Sequence, residues 1–372
     1  MRRAEKGEMT IKEICEKFQI EGDYAACSQI NNGIINRSYM VTYRCKGAER
    51  KYMVQCVNKT VFKRPDKIMQ NIVGVTEFIR AKIVAKGLDP ERRVLHYAET
   101  ADKKNFVCDE DGDYWRLYDF IDDSVVYNEA TDAEIIEQVG KAFGDFQNDL
   151  NDYDAASLYV SIPNFHNTRR RYDLFYEAVM VDAEDRVNKV KREIDACREH
   201  ETLAVKLSLM AQNNEIPLHV THNDTKSNNV IFDNSEKKAI AVIDLDTVMP
   251  GLIAYDFGDA ARFICSDAAE DELDLSKVSF NLDKFRALTK GFVGALKDRL
   301  TPVETDTLAL GVYSMTVELA VRFLTDYLNG DVYFSTNYPG HNLDRAKCQL
   351  ALAESIYGKL DKMQEIIREY AY

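Results

Sequence analysis

The N-terminal third of the chain alternates between apolar and polar residues in several short runs. SYMVTYRC and KYMVQCV alternate in this way around the charged turn KGAER, so they predict the two strands of a hairpin. RRVLHYAET and NFVCDEDGDYWRLYDFID predict further strands, the second with a hairpin turn at Asp111-Gly112. Residues 10–19 predict a first helix, and residues 66–86, with apolar positions three and four apart, predict an amphipathic helix.

The remainder of the chain shows mainly the periodicity of helices. From about Thr131 onward apolar residues recur at helical spacing, and no segment repeats another. One stretch, VTHNDTKSNNVIFDNSEKKAIAVIDLDTVMPG, interrupts the helices with two short runs typical of strands. We therefore expect an α+β protein with two lobes: a β-rich lobe with one helix over residues 1–121, and a mainly helical lobe with an inserted hairpin over residues 122–372.

Composition and charge exclude several classes of protein. Of the 372 residues 45% are hydrophobic, and the net charge of −14 would repel nucleic acid and anionic membranes. The N-terminus lacks the apolar run of a signal peptide, and no run of ~18 apolar residues predicts a membrane span. The eight cysteines form no C-x-x-C pair, so we expect reduced thiols in a cytoplasmic protein without a zinc site or disulfide framework.

The interrupting stretch carries the groups that phosphoryl transfer requires. That reaction needs a carboxylate to orient the attacking hydroxyl, oxygen ligands for Mg²⁺, and a cation near the transferred group. His222, Asp224 and Asn229 form H-x-D-x-x-x-x-N, the spacing of a kinase catalytic loop. Lys226 follows the aspartate by two residues and supplies a cation. Polar turn residues around an ordinary hairpin are the alternative interpretation.

The distance from Asn229 to Asp244 matches the length of one β-hairpin. VIF, the turn DNSEKK and AIAVI predict two paired strands, and a hairpin returns its second strand to the start of its first. Two hard oxygen ligands would then converge on one Mg²⁺. Residues 256–258 spell Asp-Phe-Gly, a rival metal motif, but no strand of the hairpin leads to them; we expect Asp256 to cap a helix near Phe257 or to anchor the catalytic loop.

Several segments resemble the aminoglycoside phosphotransferase and choline kinase superfamily, and within it the bacterial N-acetylhexosamine 1-kinases. The likeness runs through VTHNDTKSNN, VIDLDTVMPG, DFGDAARF and VRFLTDYLNGDVYFSTNYPGHNLDR, and it extends over nearly the whole chain. The resemblance implies a two-lobed protein-kinase-like fold that uses Mg-ATP to phosphorylate the anomeric hydroxyl of GlcNAc or GalNAc.

The resemblance also implies roles for individual residues. Asp224 would be the base and Lys226 a contact to the γ-phosphate. Asn229 and Asp244 would bind Mg²⁺, and Asp246 would either assist a second metal ion or have no direct role at the metal. The residues expected near the acceptor sugar are Asn223, Arg322, Tyr338, His341 and Arg345. Of the last four we expect two to touch the sugar and the others to pack.

The nucleotide end departs from the family pattern. Gln55 stands where many relatives carry a phosphate-binding Lys or Arg. The segment INNGIINRSY has Gly33 alone in place of a glycine-rich loop, so Asn36, Arg37 or Ser38 would cover the phosphates. The adenine ring would meet backbone groups of the connector, which are those of Asp119, Phe120 and Ile121.

Three functions are compatible with the sequence. The first is an N-acetylhexosamine 1-kinase, which we expect to be a monomer with ATP and a sugar as its partners. The second is a kinase of the same fold for an amino sugar, an aminoglycoside or an amino alcohol, because Ile34 replaces a histidine that the sugar kinases carry near the sugar. The third is a catalytically silent sensor, because Gln55 replaces a cation.

His166 and the basic run Arg169–Arg171 are expected at a solvated helix start.

Overall fold

A five-stranded sheet forms the N-terminal part of the protein. The computed structural model describes residues 9–30 and 36–372. The strands of this sheet are β1 (Asp23–Ile30), β2 (Arg37–Cys45), β3 (Ala48–Val57), β4 (Val107–Cys108) and β5 (Tyr114–Asp119). Their spatial order is β1-β2-β3-β5-β4, and every neighbouring pair runs antiparallel. The β2–β3 hairpin and the β4–β5 hairpin were both predicted from alternating residues, and both are confirmed.

The β2–β3 hairpin follows from its turn residues and its alternation. Lys46 and Gly47 both have positive φ, 50° and 86°, as a two-residue type I′ turn requires. Alternate residues of the strands then face one side, where Val41, Val54 and Leu117 are completely buried. Burial of these aliphatic side chains away from water supplies the main stabilisation of the sheet.

Two helices accompany this sheet. Helix α1 (Ile11–Cys15) begins with a capping box formed by Thr10 and Glu13, and it contributes buried apolar residues to the core of the sheet. It ends earlier than the predicted residue 19. Helix α2 (Pro65–Ala85) has proline in its first turn and buries one apolar face, which confirms the helix predicted over residues 66–86.

The segment RRVLHYAET does not form the strand that its alternation predicted. It meets β5 only at an isolated bridge between Tyr97 and Tyr118. The amide of Ala98 donates to the carbonyl of Leu117 and the amide of Asp119 to that of His96. A turn begins directly after Pro90, so the segment reaches β5 late and no extended ladder develops.

The rest of the chain is mainly helical, as predicted. Its helices are α3 (Ala133–Asp149), α4 (Thr168–Val181), α5 (Lys191–Ala204), α6 (Lys206–Gln212), α7 (Ile253–Ile264), α8 (Leu282–Leu296), α9 (Pro302–Leu328), α10 (His341–Tyr357) and α11 (Leu360–Ala371). Five short strands accompany them: β6 (Ser124–Val126), β7 (His219–Thr221), β8 (Val230–Asp233), β9 (Ala239–Val242) and β10 (Met249–Gly251). Strands β6, β8 and β9 form one small sheet, and β7 pairs with β10.

Contacts between residues divide the chain into two compact units. The first unit comprises Met1–Val125, Ala156–Ile162 and Ile231–Met249, and the second comprises Val126–Ala155, Pro163–Val230 and Pro250–Tyr372. Nearly all of the β8–β9 hairpin therefore groups with the first unit, whereas the sequence placed it among the helices. Hydrogen bonds explain this grouping, because Arg92 donates to Asp233 and the amide of Asn234 donates to the carbonyl of Asp123. The functional division at residue 121 stays a prediction.

Helix α9 is the central helix of the second unit. By length and composition alone it could cross a membrane, but 89% of its most apolar window is buried inside the protein. Its apolar character is therefore explained by neighbouring helices, which cover it on several sides.

Helices α3 and α8 approach each other closely because both carry glycine at the contact. A Cβ atom on Gly291 would overlap the carbonyl oxygen of Glu137 and lie 2.6 Å from the amide nitrogen of Lys141. These are backbone atoms of α3, so no flexible side chain could yield. Gly294, on the same helix, has no atom within 4 Å of such a Cβ.

The two glycines give a matched test of this packing. We expect Gly291→Ala to lower the free energy of unfolding by about 1–3 kcal/mol, because the methyl group forces the helices apart. Gly294→Ala should raise it by about 0.5–1 kcal/mol, since alanine restricts the unfolded chain more than glycine does. Chemical denaturation of both variants measures the difference, and equal effects would contradict the close approach.

Candidate active site

The loop between β7 and β8 carries the predicted catalytic motif. His222 and Thr225 are completely buried and Asn223 is 4% exposed, so this polar segment is held inside the second unit. Asn223 has φ of 65°, a left-handed conformation that costs a non-glycine residue free energy and persists only when its surroundings fix it. The Nδ1 atom of His222 accepts the amide of Asp224 at 3.3 Å.

Asp256 holds one side of this loop. Its carboxylate accepts the amide of His222 at 2.8 Å, the amide of Asn223 at 2.7 Å and the Nε2 group of Gln147 at 2.5 Å. Burial raises the pKa of Asp256, while His222 and the donors act in the opposite direction. The expectation that Asp256 anchors the catalytic loop is confirmed. The helix-cap alternative is wrong, because α7 already begins at Ile253.

A second carboxylate of α7 holds the next residue of the loop. Asp259 accepts the amide of Thr225 at 3.0 Å and is paired with Arg262 at 3.0 Å. Burial works to raise the pKa of Asp259, but the charges of Arg262 and Lys226 outweigh it and the pKa is lowered. Asp259 and Arg262 were not among the residues predicted from the sequence. Their spacing from Asp256, three and six residues along DFGDAAR, is the signal that places all three on one helix face.

His166 holds the other side of the loop, and the expectation of a solvated position is wrong. The residue is 8% exposed, and its Nε2 atom lies 3.2 Å from the carbonyl oxygen of Asn223. Its Nδ1 atom lies 3.3 Å from Glu318, whose other oxygen accepts the hydroxyl of Thr168 at 2.9 Å. Burial works to raise the pKa of Glu318, yet His166 and two arginines keep it lowered. Helix α9 therefore braces the loop through this histidine.

Asp224, Lys226 and Asn229 lie together at the end of this braced segment. The Nζ atom of Lys226 is 2.8 Å from Oδ1 of Asp224. The Nδ2 group of Asn229 donates to the carbonyl of Asp224 at 2.8 Å and to its carboxylate at 3.3 Å. Burial acts to lower the pKa of Lys226, but Asp224 and Asp259 raise it overall, so the ammonium is charged at neutral pH. A carboxylate, a cation and an amide are thus brought to one place.

Asp244 follows the β8–β9 hairpin in the first unit. It has φ of 61°, and a short 3₁₀ turn, Leu245–Thr247, follows it. Burial raises the pKa of the Tyr97 and Tyr118 phenols, and the charges of Asp244 and Asp246 raise it further. The paired strands β8 and β9 are confirmed, while the convergence of Asn229 and Asp244 on one metal stays a prediction.

Asp246 is engaged within the first unit. It is 4% exposed, forms an ion pair with Arg116 and accepts the Nδ2 group of Asn36 at 2.7 Å. Both of its oxygens therefore have protein partners. Three or more His, Cys, Asp or Glu side chains grouped as a metal cluster do not occur in residues 9–30 and 36–372.

Gln55 and Ser38, predicted at the nucleotide, contact each other and Arg116. The Nε2 group of Gln55 donates to Ser38 at 3.0 Å, and its Oε1 atom accepts Nε and Nη2 of Arg116 at 3.0 and 2.7 Å. Arg116 was not among the residues predicted from the sequence, although a cation inside the apolar strand YWRLYD is an unusual feature. Gly33 and Ile34 lie outside the described residues.

The connector leaves one backbone donor unused. The amide of Asp119 donates to the carbonyl of His96 and that of Phe120 to the carbonyl of Lys51, both at 3.1 Å. Across the described ranges of the chain, the amide of Ile121 has no acceptor. His96 lies 2.9 Å from the carboxylate of Asp119, which raises the pKa of the imidazole despite partial burial.

Arg322, predicted at the sugar, is surrounded by aromatic rings. Its guanidinium carbon lies 5.6 Å from the ring centre of Phe165, 5.9 Å from that of Tyr333 and 5.4 Å from that of Phe334. Within the part of the chain that the structure describes, no acceptor takes its N–H groups. Asp326 holds the aromatic segment by accepting the amides of residues 332–334. Tyr333, which is 66% exposed, was not predicted, although the text DVYF marks an aromatic pair on a turn.

The other residues predicted at the sugar have protein partners. His341 is completely buried, its Nδ1 accepts the amide of Asn337, and its Nε2 lies 3.0 Å from Asp271. The ring of Tyr338 stacks on His341 at 4.6 Å, and Arg345 donates to the carbonyl of Ser335 at 3.0 Å. These contacts order the loop before α10. The side chain of Asn223 likewise accepts the hydroxyl of Thr221 at 3.1 Å.

Comparison with solved structures shows the fold. An aminoglycoside phosphotransferase from Alicyclobacillus acidocaldarius is similar with a TM-score of 0.61 at 10% identity, over 98% of this chain and 98% of that chain. A choline kinase from Cryptosporidium parvum gives 0.55 at 13%, over 96% and 98%. A spectinomycin phosphotransferase solved with ADP and spectinomycin gives 0.52 at 14%, over 95% and 97%. These likenesses confirm the predicted α+β, protein-kinase-like fold class.

A sequence profile gives the family directly. The profile described as the Phosphotransferase enzyme family, APH, matches residues 26–287, which is well over half of the chain. The matched range contains the braced loop with Asp224, Lys226 and Asn229 as well as Asp244. The chain therefore belongs to the APH phosphotransferase enzyme family.

Proposed function

We propose that this phosphotransferase moves the γ-phosphoryl group of Mg-ATP to the anomeric hydroxyl of an N-acetylhexosamine, GlcNAc or GalNAc, and releases the sugar 1-phosphate and ADP. The observation that carries the proposal is the grouping of Asp224, Lys226 and Asn229 on a buried loop. Asp256 holds that loop on one side and His166 on the other. Phosphoryl transfer depends on such positioning more than on covalent chemistry.

In this proposal Asp224 orients the sugar hydroxyl and accepts its proton as the oxygen attacks phosphorus. Lys226, 2.8 Å from that carboxylate, presents a positive charge toward the transferred phosphoryl group. Because the backbone around Asp224 is fixed by buried carboxylates and a buried histidine, the base is oriented before substrate binds. Little reorganisation is then required during the reaction.

Mg²⁺ is the metal ion proposed for this reaction, with Asn229 and Asp244 as its protein ligands. The amide nitrogen of Asn229 is engaged by Asp224, and its amide oxygen has no donor in the ranges 9–30 and 36–372, so a hard oxygen is left for a cation. When bound, Mg²⁺ would neutralise phosphate charge. Asp246 is omitted from this ligand pair because Arg116 and Asn36 already occupy its oxygens.

The adenine ring is proposed to bind at the connector. The unused amide of Ile121 offers the single donor that a ring nitrogen of adenine needs, and Phe120, 36% exposed, offers an apolar surface beside it. The protein is proposed to act in the cytoplasm as a monomer. All eight cysteines lie in the described residues, and all are free thiols, as that compartment favours.

The aromatic-flanked Arg322 favours a sugar over a cationic acceptor. Its unused donors suit hydroxyl and acetamido oxygens, and Tyr333 beside it offers a face on which a sugar ring could stack. A fixed positive charge would repel the ammonium group of an amino alcohol or aminoglycoside. Ile34 in place of a histidine keeps a different small alcohol as the second candidate.

The first test concerns the base. Asp224→Asn should lower kcat by at least about 10²-fold with little change in the sugar KM, because the amide keeps the shape but cannot accept the proton. Steady-state kinetics with coupled ADP release measure both constants. Asp195→Asn, an exposed carboxylate on α5, is the control and should leave both unchanged. Near-normal turnover by Asp224→Asn would overturn the assignment.

The second test concerns the metal. Asp244→Asn should weaken the affinity for Mg²⁺ in the presence of ATP by at least about tenfold, since it removes an anionic ligand. Thermal stabilisation of the protein by ATP, titrated with Mg²⁺, reports this without any acceptor. An unchanged Mg²⁺ requirement would exclude Asp244 as a ligand.

The third test identifies the acceptor by the chemistry of its product. ADP release should occur with GlcNAc or GalNAc, and the product should lose its reducing end and release phosphate in mild acid. Release of ADP only with aminoglycosides or amino alcohols would instead establish the second candidate. Stabilisation by Mg-ATP without turnover on any acceptor would establish a silent sensor.

A further inference from the structure

The first unit contains a chain of buried and partly buried polar groups, none of which is assigned to the base or to the metal in the proposed reaction. It links the sheet to the turn that carries Asp244. The hydrogen bonds run in sequence from the amide of Asn58 to Asn36, from Asn36 to Asp246, from Arg116 to Asp246 and Gln55, and from Gln55 to Ser38. Strands β2, β3 and β5 each contribute one member, so the turn is connected to three strands at once.

The ion pair at the centre of this chain is costly to bury. The side chain of Arg116 is 2% exposed and that of Asp246 is 4% exposed. Removing two charges from water opposes the attraction between them, so such a pair adds little stability over apolar residues of similar size. Here both charges also have further partners, Gln55 for the guanidinium and Asn36 for the carboxylate. A role beyond stability accounts for keeping a charged pair at this place.

The pair acts on the turn that carries Asp244. Asp246 lies two residues after Asp244 in the 3₁₀ turn, so fixing its carboxylate to β5 fixes the turn. The far end is held as well, because Asn71 of α2 donates to the carbonyl of Val248 at 3.0 Å. Asp244 has a left-handed backbone, which restraints on the segment that follows it help to maintain.

We propose that Arg116 and Asp246 form a positioning pair that sets the orientation of Asp244 toward the divalent cation of Mg-ATP. The proposal rests on the proposed function for the role of Asp244. Gln55 lies directly opposite Arg116 in the β3–β5 register and orients its guanidinium through Nε and Nη2. The pair itself is neutral, so it directs Asp244 without cancelling the negative charge that a cation requires. Partners that orient a metal ligand in this way typically change metal affinity by about 10- to 100-fold.

The test removes the ion pair without leaving a charge buried alone. Arg116→Met by itself would strand the Asp246 carboxylate and could unfold the protein, so the informative variant is Arg116→Met/Asp246→Leu. We expect it to unfold within a few degrees of the wild-type temperature, because two apolar side chains replace a desolvated pair. Its Kd for ATP in the presence of Mg²⁺ should rise about tenfold or more, with the Mg²⁺ titration shifted in parallel.

A surface pair of the first unit provides the control. Glu99 and Lys103 form an exposed ion pair. Glu99→Gln/Lys103→Gln likewise removes one negative and one positive charge, but at a position away from the turn that carries Asp244. Calorimetric ATP binding should be unchanged in this variant. A second variant, Gln55→Arg/Arg116→Gln, moves the guanidinium from β5 to the opposite residue of β3. It should bind Mg²⁺ more tightly than Arg116→Met/Asp246→Leu does.

The outcomes separate this inference from the proposed function. If Arg116→Met/Asp246→Leu folds and binds Mg-ATP as tightly as the wild type, the positioning pair is refuted while the phosphotransferase proposal stands. If the wild type itself does not bind Mg-ATP, the proposed function is refuted, and the positioning role that rests on it is refuted as well. Weaker binding by the variant with normal thermal stability supports the inference, because a role in stability alone would not produce that combination.

Discussion

The candidate site depends on the hydrogen bonds that the carboxylate of Asp256 accepts. It accepts two successive backbone amides, those of His222 and Asn223, and so holds the candidate catalytic loop in a conformation that includes a left-handed residue. Charge-assisted hydrogen bonds in a water-excluded interior are strong enough to maintain such a backbone. The position of Asp224 follows directly, because it is the next residue along the chain.

The same physical arrangement occurs in both units. In the second unit, buried Glu318 supports His166, which contacts the carbonyl of Asn223. In the first unit, buried Arg116 supports Asp246 in the turn after Asp244. Each proposed functional carboxylate therefore follows or precedes a segment restrained by a buried charge.

Local patterns were sufficient for the elements whose residues face one consistent environment. Strands β2 and β3 alternate because one face is buried, and α2 has apolar residues at helical spacing because one side packs. RRVLHYAET alternates equally well but pairs only at isolated bridges, since a strand also needs a neighbour along its whole length. Alternation describes which face is buried and carries no information about the partner.

The sequence by itself determined the fold class and the spacing of Asp224, Lys226 and Asn229, because these depend on residues close together in the chain. It left Asp256 with two possible roles, a helix cap or an anchor of the loop, and the structure decided for the anchor. Only the tertiary structure decided that His166 is buried against Glu318, and that Arg116 and Asp246, 130 residues apart, form an ion pair. A charged residue in a sequence is most simply read as solvated. Whether a counter-charge meets it in the interior depends on long-range packing, which no local spacing specifies.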